Sequence, residues 1–290
     1  MTTPLSGTGI WSSALRYGEP GPSAAAATEL EQLGYSALWV PDVGGDVFAA
    51  VKNLLAATTS TTIATGILNL WMHTPEETAA QHAALTAEHG ARFLVGIGVS
   101  HAPLIDRVKE PGAYRKPLQQ MTEFLDGLDA AETPLAQDDR CLAALGPKML
   151  ELSRTRTAGT HPYLVTPEHS RIAREALGPD GLVASEQGVV LETDPTKARE
   201  AARAHLATYL ALPNYANNWL RLGFTEADIA DGGSDKLVDA LVVWGDEATI
   251  AARVQEHRDA GASHVCIQVL GGAPLDLPLE QWRALAPALT

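Results

Sequence analysis

Eight short runs rich in aliphatic and β-branched residues recur along the chain, separated by segments with helical spacing and helical punctuation. That alternation constrains the fold more than any other feature, because strand–helix–strand units within one core generate parallel sheets. The expected strands cover residues 8–12, 37–40, 63–68, 93–98, 142–145, 159–165, 182–191 and 264–269. Helices are expected near 23–33, 46–58, 75–89, 117–131, 147–154, 167–177, 246–260 and 279–285. Residues 195–243 read as helical throughout, interrupted at Pro213, Gly223 and Gly232-Gly233. This is too long for one crossover helix and predicts a helical insertion before the eighth strand. Eight strands in regular alternation over 290 residues favour an α/β fold of the TIM-barrel type, (β/α)8, as one domain over residues 1–290, above an open doubly wound sheet.

Charge narrows the function classes. With 35 acidic against 21 basic residues the net charge is -14, which argues against nucleic acid or an anionic membrane as partner, since both need a cationic footprint. No apolar run reaches membrane-spanning length, and no basic-then-apolar leader pattern opens the sequence, so a cytosolic location is expected. Cys141 and Cys266 each sit in an apolar strand-like run and read as small buried hydrophobes, with neither a disulfide framework nor a metal motif.

In a barrel the C-terminal ends of the strands converge on one mouth, where barrel enzymes keep their chemistry. The residues expected there are Trp11 and Ser12, Asp42, the stretch from Gly66 to His73, Ser100 and His101, Gly146 to Lys148, His161 to Tyr163, Glu186 and Gln187, and Gly271 and Gly272. Glycine, indole and hydrogen-bonding groups dominate over paired carboxylates, which suits a flat, polar-edged cofactor better than acid/base hydrolysis. Within this set Gly66 breaks the third strand at the mouth, so a backbone irregularity is expected there. Gly96-Ile97-Gly98 lacks the third glycine of a dinucleotide fingerprint and reads as close strand packing. His82 and His89 read as helix packing, Trp39 as core, Trp219 and Trp244 as packing within the insertion, and His161 stands evenly between site and structure. Residues 100–116 form a long connection at the fourth mouth and suggest a lid or binding loop. Its four cations, Arg107, Lys109, Arg115 and Lys116, are either a solvated face or a device that steers an anionic ligand.

The run Gly66-Ile67-Leu68-Asn69-Leu70-Trp71-Met72-His73-Thr74-Pro75, with Gly96-Ile97-Gly98, Leu38-Trp39-Val40-Pro41-Asp42 and Ala143-Ala144-Leu145-Gly146-Pro147-Lys148-Met149, resembles the luciferase-like monooxygenase superfamily. The likeness is nearest to its branch that uses the deazaflavin coenzyme F420. The resemblance implies a non-prolyl cis peptide at Gly66-Ile67 forming a bulge that backs the deazaflavin ring, with Asn69 at the ring edge and Asp42 nearby. It also implies a phosphate site at Val99, Ser100 and the backbone of Gly146, Pro147 and Lys148. His161 is a further candidate cofactor contact, and Trp11 and Trp71 would be apolar walls of the substrate pocket. Similar proteins are often dimers, so a homodimer acting on a small-molecule substrate is the expectation.

Two departures limit what can be inherited. Similar sugar-phosphate dehydrogenases carry a histidine where this chain has Val43 and a glutamate where it has His101. Their acid/base pair is missing, which leaves His101 and His73 as candidate proton donors. The reading is hydride transfer between F420 and an unidentified small organic substrate. The alternatives are an FMN-dependent monooxygenase of the same superfamily and a cofactor-binding barrel without catalysis.

Overall fold

In the computed structural model, which describes residues 5–273 and 275–290, ten strands are all paired in parallel. They are β1 (Gly7–Trp11), β2 (Ala37–Val40), β3 (Thr62–Thr65), β4 (Leu68–Asn69), β5 (Phe93–Gly98), β6 (Arg140–Leu142), β7 (Gly159–Thr160), β8 (Leu182–Val190), β9 (Val242–Trp244) and β10 (His264–Val269). Pairing runs β10-β1-β2-β3-β5-β6-β7-β8, and β8 pairs back to β10 with Ala184 opposite His264. The sheet is therefore closed, a TIM barrel whose third strand is β3 continued by β4.

The break in that third strand has a simple register. Ala64 faces Leu94 and Leu68 faces Ile97, so four steps along β3–β4 oppose three along β5, a one-residue bulge centred on Gly66 and Ile67. The peptide bond between them is cis.

Helix punctuation follows the sequence. The helix Pro75–His89 starts on proline after a Thr74 cap and ends at Gly90, whose φ of 81° suits glycine. Outward-facing aliphatics of the strands pack on the helices in one continuous core. Inside the barrel lie Trp39, Ala64, Leu94, Cys141, Ala184 and Cys266. Trp39 is core, and both cysteines are free and buried, with burial pushing the Cys141 thiol up to about 12. His82 packs against β5 through a 3.0 Å contact with the Phe93 carbonyl.

Four segments differ from the expectations. The fifth barrel strand occupies Arg140–Leu142 rather than 142–145, because Arg140 is fully buried with its guanidinium on the Leu135 and Arg156 carbonyls and on Asp129. An arginine satisfied in this way carries no apolar signal. The sixth strand is only Gly159–Thr160. The 100–116 connection contains a helix, Ala102–Val108. The stretch read as wholly helical holds the helices Pro195–Leu206, Pro213–Arg221, Glu226–Ile229 and Asp235–Leu241, then β9, where two valines add a strand beside β8 outside the barrel closure. The insertion has its own apolar cluster around the fully buried Trp219.

Candidate active site

Two walls rise at the barrel mouth, and the first is built around the bulge. Trp11 donates its indole N–H to the Gly66 carbonyl at 2.9 Å. A Cβ on Gly66 would lie 2.6 Å from Trp11 Nε1 and 2.8 Å from His161 Nε2, so only glycine fits between them. On the next strand, a Cβ on Gly98 would lie 2.5 Å from Ile67 Cγ1; the absent side chain lets Ile67 lie across β5. The glycines of Gly96-Ile97-Gly98 thus serve close packing.

Asp42 ties this wall together. Its Oδ2 accepts from the Asn69 backbone N–H at 3.1 Å and from His73 Nε2 at 2.8 Å, while Oδ1 accepts from the Gly44 N–H at 3.3 Å. Three donors on one buried carboxylate fix the backbone at both β2 and β4. His73 Nε2 is committed as a donor to Asp42, and its ring stands edge-on to Phe48 at 5.5 Å. The structure thus gives His73 a positioning place. Asn69 is fully buried, and its Oδ1 accepts from the Trp71 N–H, but Nδ2 has no partner. Trp71 donates from Nε1 to the Val99 carbonyl at 2.8 Å and packs against Tyr114 at 5.7 Å, so it pins the 100–116 connection over the mouth.

His161 lies beneath the bulge rather than on the open mouth. Its ring stacks on Trp39 at 4.1 Å, and Nδ1–H donates to the Ala184 carbonyl at 2.8 Å. Burial pushes it down to about 4, so it is neutral, with Nε2 an unpartnered acceptor below Gly66.

The second wall comes from β7, β8 and the insertion, and most of it was invisible to sequence reasoning. The Tyr163 hydroxyl donates to Gln268 Oε1 at 2.7 Å and sits 3.2 Å from His205 Nε2 and 3.4 Å from the Tyr209 hydroxyl. Its ring approaches Trp11 at 5.4 Å, joining the two walls. Tyr215 packs between Tyr209 at 5.3 Å and His101 at 5.4 Å. Burial pushes the three phenols up and holds His205 down to about 4, so the wall is uncharged at neutral pH. His101 starts the helix Ala102–Val108; burial lowers its pKa, and a hydrogen bond with Asn214 offsets part of that. The usable sequence signal was His205 and Tyr209 four apart in a helical stretch, which puts both on one face.

At the adjacent strand ends lie the residues expected to hold an anion. Ser100 holds a left-handed φ of 54°, and Val99 spends its carbonyl on Trp71. Gly146 caps the helix Pro147–Arg156 without any side-chain cap, and Lys148 is exposed in its first turn. Arg221, from the insertion, adds a cation that sequence reasoning missed. Its Nη2 lies 4.0 Å from where a Cβ on Gly146 would be, and it donates to the Leu145 carbonyl and to Asn218 Oδ1, both neutral partners. A helix N-terminus flanked by a cation suits a phosphate.

A closed parallel barrel with a bulge on its third strand and a helical insertion before its eighth defines the class. Residues 8–264 match the luciferase-like monooxygenase family, and the chain belongs to it. It is 21% identical to 5,10-methylenetetrahydromethanopterin reductase from Archaeoglobus fulgidus, covering 84% of this chain and 87% of that protein. Among solved structures, an F420-dependent secondary alcohol dehydrogenase in complex with an F420-acetone adduct superposes with a TM-score of 0.75 at 16% identity, over 98% of this chain and 99% of the other. The oxygenating constituent of 3,6-diketocamphane monooxygenase from Pseudomonas putida, a type II Baeyer-Villiger monooxygenase in complex with FMN, superposes at 0.66 and 13% identity, over 97% and 96%. Members of this family are enzymes, and no helix among the described residues is long and apolar enough to cross a membrane.

Proposed function

We propose that this protein is an oxidoreductase that holds coenzyme F420 at the barrel mouth and uses it to pass hydride to or from a small organic substrate. The observation that carries this reading is Asn69, a fully buried amide whose Nδ2 has no partner, beside the Gly66–Ile67 bulge. Leaving a buried donor unmade costs about 1–3 kcal/mol, so the site is built for an acceptor that the chain does not provide. The carbonyl-rich edge of a deazaflavin ring is such an acceptor. Asp42 and His73 fix the backbone beside that amide, and Ile67 offers an apolar surface to a ring face. The helix start at Gly146 with Pro147 and Lys148, together with Ser100 and Arg221, would take the phosphate of the coenzyme tail.

When bound, the deazaflavin supplies two-electron hydride chemistry with little oxygen activation. The chain's own task is to orient ring and substrate, exclude water and manage one proton. The likeness to the F420-dependent alcohol dehydrogenase supports F420, and the FMN-bound oxygenase supports FMN as the second reading.

The test is titration of the purified protein with F420 and with FMN, followed by coenzyme fluorescence, with oxygen uptake measured beside reduced FMN. Saturable F420 binding without oxygen consumption is expected. Saturable FMN binding with oxygen uptake and no F420 binding would replace the proposal with the monooxygenase reading.

A further inference from the structure

On the second wall one acidic side chain has no work in the arrangement described so far. Glu186 lies on the inward face of β8, is fully buried, and sits in register with Cys266 of β10. One of its oxygens is held: Oε2 accepts from the Leu164 backbone N–H at 3.1 Å. Leu164 makes that bond from a left-handed conformation, φ 53°, which costs a branched residue about 1–2 kcal/mol. The other oxygen, Oε1, has no partner. Gly188, two residues on and on the same face, carries no side chain of its own; a Cβ there would lie 3.9 Å from Oε1, and 3.2 Å from Leu270 Cδ1 and 3.4 Å from Val242 Cγ2. The carboxyl is thus held at one oxygen and free at the other, on the wall that carries Tyr163.

The titratable groups that face Glu186 are Tyr163 from the end of β7, Tyr209 and Tyr215 from the insertion, and Cys266 from β10; each is made harder to ionise by a charge on Glu186. None of them is a cation that could stabilise a carboxylate. Burial pushes Glu186 up to about 8, with the Leu164 N–H offsetting only part, so the group is a neutral acid at physiological pH.

We propose that Glu186 is the catalytic acid of the barrel mouth, giving its Oε1 proton to the substrate atom next to the carbon that receives hydride. This rests on the hydride-transfer reading above and deepens it. Reduction of a carbonyl or an activated double bond needs one hydride and one proton. The new C–H bond takes its electron pair from the reduced coenzyme. The Oε1–H bond breaks, its proton goes to the neighbouring oxygen, nitrogen or carbon, and Glu186 remains as a carboxylate that regains a proton from water. In the oxidative direction the same carboxylate accepts the proton. His73 is occupied by Asp42, and a neutral His101 would have to release a far less acidic ring N–H. The substrate class implied is a neutral molecule with one hydrogen-bond acceptor at the reacting end, because an anion would meet the three phenols and a carboxyl with no cation among them.

The test is a carbon-13 NMR titration of protein labelled at the glutamate carboxyl carbons, with and without reduced F420. One resonance is expected to titrate near pH 8, to be absent from Glu186→Gln, and to shift when reduced coenzyme saturates the protein. The wild-type titration stands on its own if the variant does not fold. A protein that binds coenzyme while its late-titrating carboxyl does not respond, or that shows no such carboxyl, overturns the assignment of the acid alone. A protein whose coenzyme fluorescence never changes overturns the functional reading and this inference with it.

Discussion

The two walls of the mouth are built on opposite plans. Around the bulge, Asp42 gathers the Asn69 and Gly44 amides and His73, and Trp11 takes the Gly66 carbonyl, so the backbone is tied at several points while Asn69 Nδ2 and, below the bulge, His161 Nε2 are left open. On the wall of β7, β8 and the insertion the polar groups are side chains meeting side chains, Tyr163 with Gln268, His205 and Tyr209, and Glu186 Oε1 stays buried without a partner. A wall tied through its backbone holds a fixed shape, whereas one built from side chain on side chain can be repacked to suit different ligands. On the proposed function, the bulge side is the rigid cofactor platform and the insertion side sets which substrate is accepted.

The largest expected break comes from acid, and it reaches both walls, because His161 lies below the bulge and His205 stands on the insertion side. Burial holds His161, His169 and His205 each down to about 4, against a usual 6.5. The folded state then binds fewer protons than the unfolded chain between those values, so stability falls as pH drops below 6.5 and the loss is complete near 4. Each imidazole would cost on the order of 3 kcal/mol when protonated. Thermal unfolding followed from pH 8 to 4 should show a steep loss in that window, and His205→Gln should flatten it. A melting temperature constant down to pH 4.5 would show that these rings take up protons without penalty.

On the first wall the largest single effect is expected at Asp42. Asp42→Ala strips the acceptor from two backbone N–H groups and from His73, and breaking such a buried charged cluster costs about 3–5 kcal/mol. Coenzyme affinity should collapse with it. Chemical denaturation reads the first effect and fluorescence titration the second. A variant as stable as wild type would refute the rigid-platform half of the comparison.

The difference between the walls also explains what the sequence made legible. Asp42 and its partners in the first wall lie within residues 42–73, joined by Trp11 and Val99 from neighbouring strands, and the strand ends there carry local signals in their glycines, prolines and periodicity, so the barrel, the Gly66 break and the placing of Asp42 and Asn69 could be read directly. The second wall joins positions far apart in the chain: Tyr163 meets Gln268, 105 residues on, and His205, 42 residues on. No periodicity within a helix reports what another element brings to it. The fifth strand, expected at 142–145, begins at Arg140 for a related reason, because the burial of Arg140 depends on carbonyls and an aspartate outside its own strand. His161 was half legible: its strand end was right, but the short β7 turns the ring below Gly66 instead of outward.

A smaller effect separates the packing of the first wall from its polar ties. Gly66→Ala would place a methyl group 2.6 Å from the Trp11 indole nitrogen and 2.8 Å from His161, an overpacking cost of about 1–3 kcal/mol. Pairing it with Trp11→Phe, which removes the nearest of the three atoms it would meet, should recover part of the loss. Absence of any recovery would mean that His161 and the remaining ring carbon set the limit. Smaller again is Arg221→Gln, which removes a cation from the uncapped helix start. It should weaken F420 binding about tenfold, roughly 1.4 kcal/mol, while leaving the phosphate-free deazaflavin core unaffected. Equal losses for both ligands would assign Arg221 to the packing of the insertion against Leu145 and Asn218.

The smallest effect is expected where the two walls meet solvent. Arg107, Lys109, Arg115 and Lys116 are all exposed on the 100–116 connection, which Tyr114 and the Val99 carbonyl hold against Trp71. In a chain of net charge -14 these cations offer local relief from the field that an anionic coenzyme tail would meet. Exposed charges are screened over about 8 Å at physiological salt, so their joint worth is a few-fold in affinity rather than orders of magnitude. Replacing all four with glutamine should weaken a long polyglutamate-tailed coenzyme more than a short-tailed one, chiefly through slower association, and added salt should erase the difference. An equal loss for both tails, independent of salt, would remove steering from the loop and leave it only the task of covering Trp71.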